Sequence, residues 1–428
     1  MEWYAGMSLL MFGFIFEFYL YAFGIPNFVT PSRIAAITIT VLAIFKITKS
    51  KKNKKPIEGM PGKALRQFCW FHVPVLFYML LLYVTIGVQG DSRHMLTILT
   101  HTFVFRIIPI WAFYVCLDSL EELMNVLVIT MLIQTVFIWL CITNPTAKLI
   151  IDNTFHLSET YIYYGETYAG GLGCITSQGL IRYAVGNVAC VYLYYKKNNI
   201  LYIALLLLFG LTGSMIARTG LLVVAICVCF VLYYAFKRHR MKVFGTLLFS
   251  VFLALFVANV ILSSDSSRRF LESRFTRMSD LFEESEDARG IYDISFFNNY
   301  MHGKSTVLPP LSTETIVGTG VPSGTSGNGV TVIVDGGFFR LYVAYGLILA
   351  IIFYVFFLHL IFRVSFSFKN KDIRYTMLLM SALIIIGEIK EWSIYASCHV
   401  TMFFLMALLA YQDLKRTKQF ELVNRNKI

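Results

Sequence analysis

Long apolar runs separated by short polar connections set the pattern of this chain. Runs such as "ALLLLFGLTGSMIA" and "TLLFSVFLALFVANVIL" approach the roughly 20 apolar residues that a helix needs to cross a bilayer, and a helix satisfies its backbone amides internally. The pattern predicts twelve spans, at about 7–25, 33–48, 68–89, 94–117, 121–141, 178–195, 200–217, 219–236, 243–262, 336–362, 374–390 and 392–411. The expected fold class is therefore all-α: a polytopic membrane protein with about 12 transmembrane helices and a large external loop between spans nine and ten. A β-barrel is excluded by the unbroken length of the runs. The chain divides into 1–262 with spans one to nine, 263–335 as the loop, and 336–428 with spans ten to twelve and a tail. The first run, Met7 to Ile25, has no basic segment before it and no small-x-small site after it, so it reads as a retained span and not a signal peptide. Spans seven and eight are short, which requires Gly213 to Gly220 to turn tightly.

Two connections are too long for simple turns. Ile142 to Ser177 is polar and rich in Tyr and Gly. Ser263 to Asp335 has 73 residues, with six basic and ten acidic groups, and a loop of that length is functional or disordered. Within it, "SSRRFLESRFTRMSDLFEES" sets Phe270, Phe275, Met278 and Phe282 near one helical face, as in an amphipathic helix lying along the interface, with Arg274 and Arg277 sharing a face. The following "LPPLSTETIVGTGVPSGTSGNGV" reads as a loop without regular structure. Its glycines permit close backbone approach to a ligand, and a flexible spacer is the equal alternative.

Composition agrees with the pattern. Of 428 residues 57% are hydrophobic and 14% charged, and the mean hydropathy is +0.66, whereas a soluble domain is about a quarter charged. The formal charge of +12 does not mark a nucleic-acid binder, because Lys and Arg gather in Lys46 to Arg66, Lys196 and Lys197, Lys237 to Lys242, Arg363 to Arg374 and Lys415 to Lys427. That is the positive-inside bias, and it sets both termini in the cytoplasm. The eight cysteines lie mostly within apolar runs, without metal-ligand spacing, and read as packing residues.

An ionisable group centred in a membrane helix costs roughly 2.5 kcal/mol or more, so each demands a role. Glu17 in span one and Arg106 in span four fall mid-span, and mutual neutralisation is the favoured reading. The others collect at the outer face: Arg33, Arg93, Arg182, Arg218, Asp335, Arg340, Glu388, Lys390 and Glu391. Arg218 occupies a turn among Gly213, Ser214, Thr219 and Gly220, and Arg182 lies four residues into its span in "GLIRYAVGN". A guanidinium suits phosphate oxygens bidentately and stays charged at any relevant pH. Outward arginines beneath a glycine-rich loop point to a diphosphate ligand. No P-loop, HExxH, GxSxG or kinase motif is present, and no carboxylate cluster argues for a divalent ion. No cofactor is expected.

Several stretches then align with a known family. "LTGSMIARTGLLV" resembles its Ser/Arg-Thr-Gly turn, "SRFTRM" and "DARGIYD" its early-loop segments, "ETIVGTGV" its Gly-x-Gly segment, and "VDGGFFRLYVAYGLILAIIF" its Asp-x-Gly…Arg…Gly helix start. With the topology, the chain resembles bacterial oligosaccharide repeat-unit polymerases of the Wzy type, which are related to O-antigen ligases. Here Ser214 and Arg218 are separated by "MIA", where the family has them adjacent. The resemblance implies a membrane glycosyltransferase at the outer face of the bacterial cytoplasmic membrane. It would polymerise polyprenyl-diphosphate-linked repeat units, with lipid-linked donor and acceptor as substrates and a chain-length regulator and a flippase as partners. Arg182, Arg218 and Arg289, with Arg274, Arg277 and Arg340, would hold the diphosphate. Asp335 is the first choice and His302 the second for the base that takes the acceptor's proton. Asp335 can equally cap span ten. Tyr163, Tyr164, Phe338 and Phe339 would stack on sugars, and Glu388 in "EIKEW" would border the cavity. A ligase that transfers a finished glycan shares this layout. A flippase is the rival from another class, set back by the lack of visible repeats or broken helices.

Overall fold

The computed structural model describes residues 2–16, 18, 29–49, 57–86, 99–155, 172, 177–216, 219–237, 316–318, 324–325, 331–332, 337–390, 393–396 and 398–425. They are almost entirely helical. The helices are α1 (Glu2–Ile15), α2 (Pro31–Lys49), α3 (Gly59–Ile86), α4 (Leu99–Cys116), α5 (Leu120–Thr143), α6 (Pro145–Phe155), α7 (Ser177–Lys197), α8 (Leu201–Ile216), α9 (Thr219–Lys237), α10 (Gly337–Tyr345), α11 (Leu347–Ser367), α12 (Lys371–Lys390), α13 (Ser393–Ala396) and α14 (His399–Arg425). Five of these, α2, α3, α4, α5 and α11, are long and apolar enough to cross a bilayer, as expected for a polytopic membrane protein.

Burial divides the helices by composition. A helix apolar on every side belongs in an interior, and α14 follows that rule: each residue from Met402 to Ala410 is almost fully enclosed. Its neighbours are α3, α4, α5, α7 and α12. From Tyr183 to Tyr195 α7 is equally enclosed, by α5, α8, α9 and α12. By contrast α3 presents Trp70, Phe77 and Val84 outward and α11 presents Ile348 and Val355, the apolar exterior that a lipid-facing helix keeps.

Polar pairs knit one end of the bundle, where the basic residues lie. Ser119 caps α5, accepting from the Glu122 amide at 3.1 Å, and Glu122 reaches back to the Asp118 amide at 2.6 Å. This reciprocal arrangement satisfies donors that a helix start leaves open. Glu122 also accepts from Trp3 Nε1 at 2.9 Å, which ties α1 to α5. Asp413 of α14 accepts from the Leu120 amide at 2.9 Å, and Lys197 pairs with Glu121 at 3.0 Å and Lys415 with Glu58 at 2.6 Å.

Several sequence expectations change. Span ten is two helices, α10 and α11, broken at Gly346, and span twelve is replaced by the one-turn α13 followed by α14. Gly346 has φ +81°, and a side chain there would come 2.3 Å from the Ile316 carbonyl oxygen, so the break is a contact with a loop segment that only glycine permits. Part of Ile142 to Ser177 is helical, as α6. The Gly/Ser/Thr stretch expected to lack regular structure contains an antiparallel pair, β1 (Gly324–Thr325) and β2 (Thr331–Val332), with Gly324 opposite Val332. Helix α8 ends at Ile216 and α9 begins at Thr219, and the residues between them, where the tight turn is expected, lie outside the described ones. Span nine and the expected amphipathic helix lie outside the described residues.

Candidate functional site

Two buried arginines, Arg106 and Arg182, lie near the start of α14. Arg106 sits in a π-helical turn of α4, Phe103–Ile107, the kind of local widening that often accompanies a functional site. It is only 4% exposed. Its Nη1 donates to the Phe14 carbonyl at 3.2 Å and its guanidinium lies 5.5 Å from the centre of the Phe14 ring. Phe14 is in the last turn of α1, where carbonyls lack helical partners and the helix dipole is negative. A backbone end and an aromatic face thus stabilise a cation within an apolar setting. The expected neutralisation by Glu17 falls on a residue outside the described ones.

Arg182, on the second turn of α7, is 5% exposed. Its charge and that of Arg106 both act on the buried Cys398 thiol, which immediately precedes α14. The Thr401 hydroxyl, in the first turn of α14, donates to the Arg106 carbonyl at 3.0 Å. Both arginines thus lie within electrostatic reach of Cys398, at the start of a 27-residue helix. A helix start flanked by basic side chains is a setting that suits an anion. Tyr411, near the basic end, follows Cys398 by thirteen positions, which sets Cys398 roughly 20 Å along the bundle.

A second group surrounds Glu388, 1% exposed near the end of α12. Its carboxyl accepts from the Tyr354 hydroxyl of α11 at 2.8 Å and from the Ile394 amide of α13 at 2.7 Å. It also abuts the first residue of α10: a methyl group on Gly337 would lie 2.2 Å from Glu388 Oε1. The positive start of α10 thus faces a carboxyl group. Next to Ile394, the Tyr395 hydroxyl accepts from Tyr345 at 2.7 Å and lies 3.3 Å from His72 Nε2, and His72 Nδ1 is 2.8 Å from the Phe68 carbonyl. Five elements, α3, α10, α11, α12 and α13, are joined by these polar contacts, and the Phe353 ring packs in their midst.

Of the eight residues assigned from sequence to catalysis or to the diphosphate, the structure describes two. Arg182 enters the buried site at α14. Arg340 is half-buried on α10, three residues after Gly337. Asp335, His302, Arg218, Arg289, Arg274 and Arg277 lie outside the described residues. Sequence reasoning missed the site role of Arg106, and also His72, Tyr345, Tyr354 and Tyr395. A histidine and three tyrosines scattered through apolar helices carry no local signature. The acid-rich "EIKEW" did point to Glu388.

No protein-family model, curated protein or solved structure matches the chain.

Proposed function

We propose that this protein is a membrane glycosyltransferase that polymerises polyprenyl-diphosphate-linked oligosaccharide units at the outer face of the bacterial cytoplasmic membrane. The observation that carries the reading is the pair of buried guanidiniums, Arg106 and Arg182, around the first turn of α14. A leaving diphosphate develops negative charge as its bond to the sugar's anomeric carbon breaks, and oriented donors in a low-dielectric site stabilise that charge without reorganising. Arg106 and Arg182 would receive the departing oxygens. The acceptor hydroxyl would form the new bond to the anomeric carbon and give its proton to Asp335 or, failing that, His302. Glu388 supports this role of Asp335 indirectly, because it braces Gly337, two residues further along the chain.

Reconstitution with one purified lipid-linked repeat unit tests the proposal. A ladder of lengthening glycans is expected, and Arg182→Ala and Arg106→Ala should each abolish it at equal expression. A single transfer to a different acceptor would identify an O-antigen-ligase-type transferase instead, and full polymer formation by the Arg182→Ala protein would remove the diphosphate site.

A second reading gains from the fold. Helices broken near polar groups are common in transporters, and here α10 breaks from α11 at Gly346 while α13 breaks from α14. A lipid-linked oligosaccharide transporter is therefore the alternative. Translocation of the lipid-linked unit by the purified protein, with no glycosidic bond formed, would establish it.

A further inference from the structure

We propose that the apolar groove between α3 and α11 seats the isoprenoid chain of a polyprenyl-linked substrate, with the polar head at the end closed by Ile316 and Val317; this rests on the lipid-linked reading above. The groove encloses about 520 Å³. Phe71, Val75 and Tyr78 form one wall, spaced to share a face of α3. Ile348 and Ile352 of α11 form the other and are 61% and 50% exposed, so the groove opens sideways. Pro74 lies within α3 along this wall. It lacks an amide hydrogen and loosens the helical ladder there.

The two ends differ. At the inner end Phe71 stacks on Phe356 with ring centres 4.5 Å apart, which closes the groove with carbon. At the other end the Tyr78 hydroxyl donates to the Val317 carbonyl, and Gly318 packs against the backbone of Tyr345 and Gly346. From Phe71 to Tyr78 is about 10 Å along α3. The groove therefore runs along the helices from a loop-covered end, where the Tyr78 hydroxyl meets the Val317 carbonyl, to a floor of aromatic carbon, and a lipid seated in it would have its head at the loop end.

Continuity with the polar network distinguishes this groove from a surface wetted by bilayer lipid. Tyr345 lines it, and the Tyr345 hydroxyl donates to Tyr395, beside the residue whose amide holds Glu388. A head group at the loop end would thus border the buried polar network. The walls also favour a stiff occupant. Aromatic rings and β-branched Ile and Val side chains have few rotamers, so the groove adapts little, and a chain stiffened by double bonds loses less freedom on entering than a saturated acyl chain does.

The test uses the full-length protein in nanodiscs of phosphatidylethanolamine and phosphatidylglycerol. The probe is a polyprenyl diphosphate with a diazirine in the isoprene units next to the diphosphate, and cross-linked peptides are mapped by mass spectrometry. Labelling is expected within 71–78 and 348–352, competed by unlabelled polyprenyl diphosphate and not by added phosphatidylglycerol. Ile352→Trp and, independently, Ile348→Trp fill the groove from exposed positions that the core does not use. Each should cut labelling there by about fivefold, the occupancy change that about 1 kcal/mol of lost affinity gives. Val355→Trp, on the same helix but outside the groove, should not. Even labelling of all lipid-facing helices, equal competition by phosphatidylglycerol, or undiminished labelling in both tryptophan variants would overturn the proposal. Labelling needs no turnover: a protein that takes the probe here but builds no polymer loses the polymerase reading alone, whereas polymer formation with the label elsewhere rejects the groove alone.

Discussion

Replacing Glu388 with alanine leaves two buried donors stranded, the Tyr354 hydroxyl and the Ile394 amide, which now bond to its carboxyl at 2.8 and 2.7 Å. A buried donor deprived of its acceptor costs about 1–3 kcal/mol, so the variant should lose about 2–6 kcal/mol before any cavity is counted. Tyr354→Phe removes only one donor and should cost about 1–3 kcal/mol. In the double variant the Tyr354 hydroxyl is no longer there to be stranded, so the combined loss must fall short of the sum. Polar pairs between membrane helices couple by about 0.6 kcal/mol on average and about 1.7 at most, because the unfolded segments find other partners in the membrane. With 1% exposure and two short bonds, the Glu388–Tyr354 pair is expected at the upper end. Unfolding of the four purified proteins in detergent, followed by tryptophan fluorescence, measures the coupling. Additivity within about 0.3–0.5 kcal/mol, the agreement seen for independent sites, would refute the reasoning, as would an alanine variant as stable as the parent.

Two further outcomes follow from the loop contact and the basic end. Gly346→Ala places a side chain at φ +81° and 2.3 Å from the Ile316 carbonyl oxygen. It should cost at least about 1–2 kcal/mol and hasten proteolysis near residue 316, with Gly318→Ala acting alike; unchanged cleavage in both would show that the glycine contacts do not hold the loop segment there. Burial pushes the Asp413 carboxyl above its ordinary 3.8, outweighing the Leu120 amide that it accepts from. The folded protein thus prefers the acid form, and this contribution is complete below the ordinary carboxylate range and is lost as pH rises through the raised value. Asp413→Asn keeps an acceptor for the Leu120 amide and should flatten stability against pH in that window, so an unaltered slope would assign it to another group.

Apolar run length alone made the helices legible: α2, α4 and α5 begin and end within a few residues of the expected spans, because bilayer thickness and backbone satisfaction leave little choice. The break at Gly346 was not legible, since the apolar run passes straight through it and its cause lies near Ile316, some thirty residues away. The backbone carbonyl and phenyl ring that Arg106 contacts carry no sequence signature, and its expected partner Glu17 lies outside the described residues. Arg182 stood out in the sequence because it is a fixed charge four residues into an otherwise apolar span. His72 and Tyr395 lie 323 residues apart, and only the packing of α3 against its neighbours makes them a pair.

The enclosure of α14 bears on biosynthesis. Its packing partners α3, α4, α5, α7 and α12 all precede it in the chain, so during translation they emerge and insert before the segment around which they close. Until then their inward faces share a vacancy as long as a whole helix, and Cys398 and Thr401 have not yet arrived beside Arg106. Ribosomal release of that segment therefore brings the helix start to Arg106, and a product truncated ahead of His399 would lack the helix that its neighbours enclose.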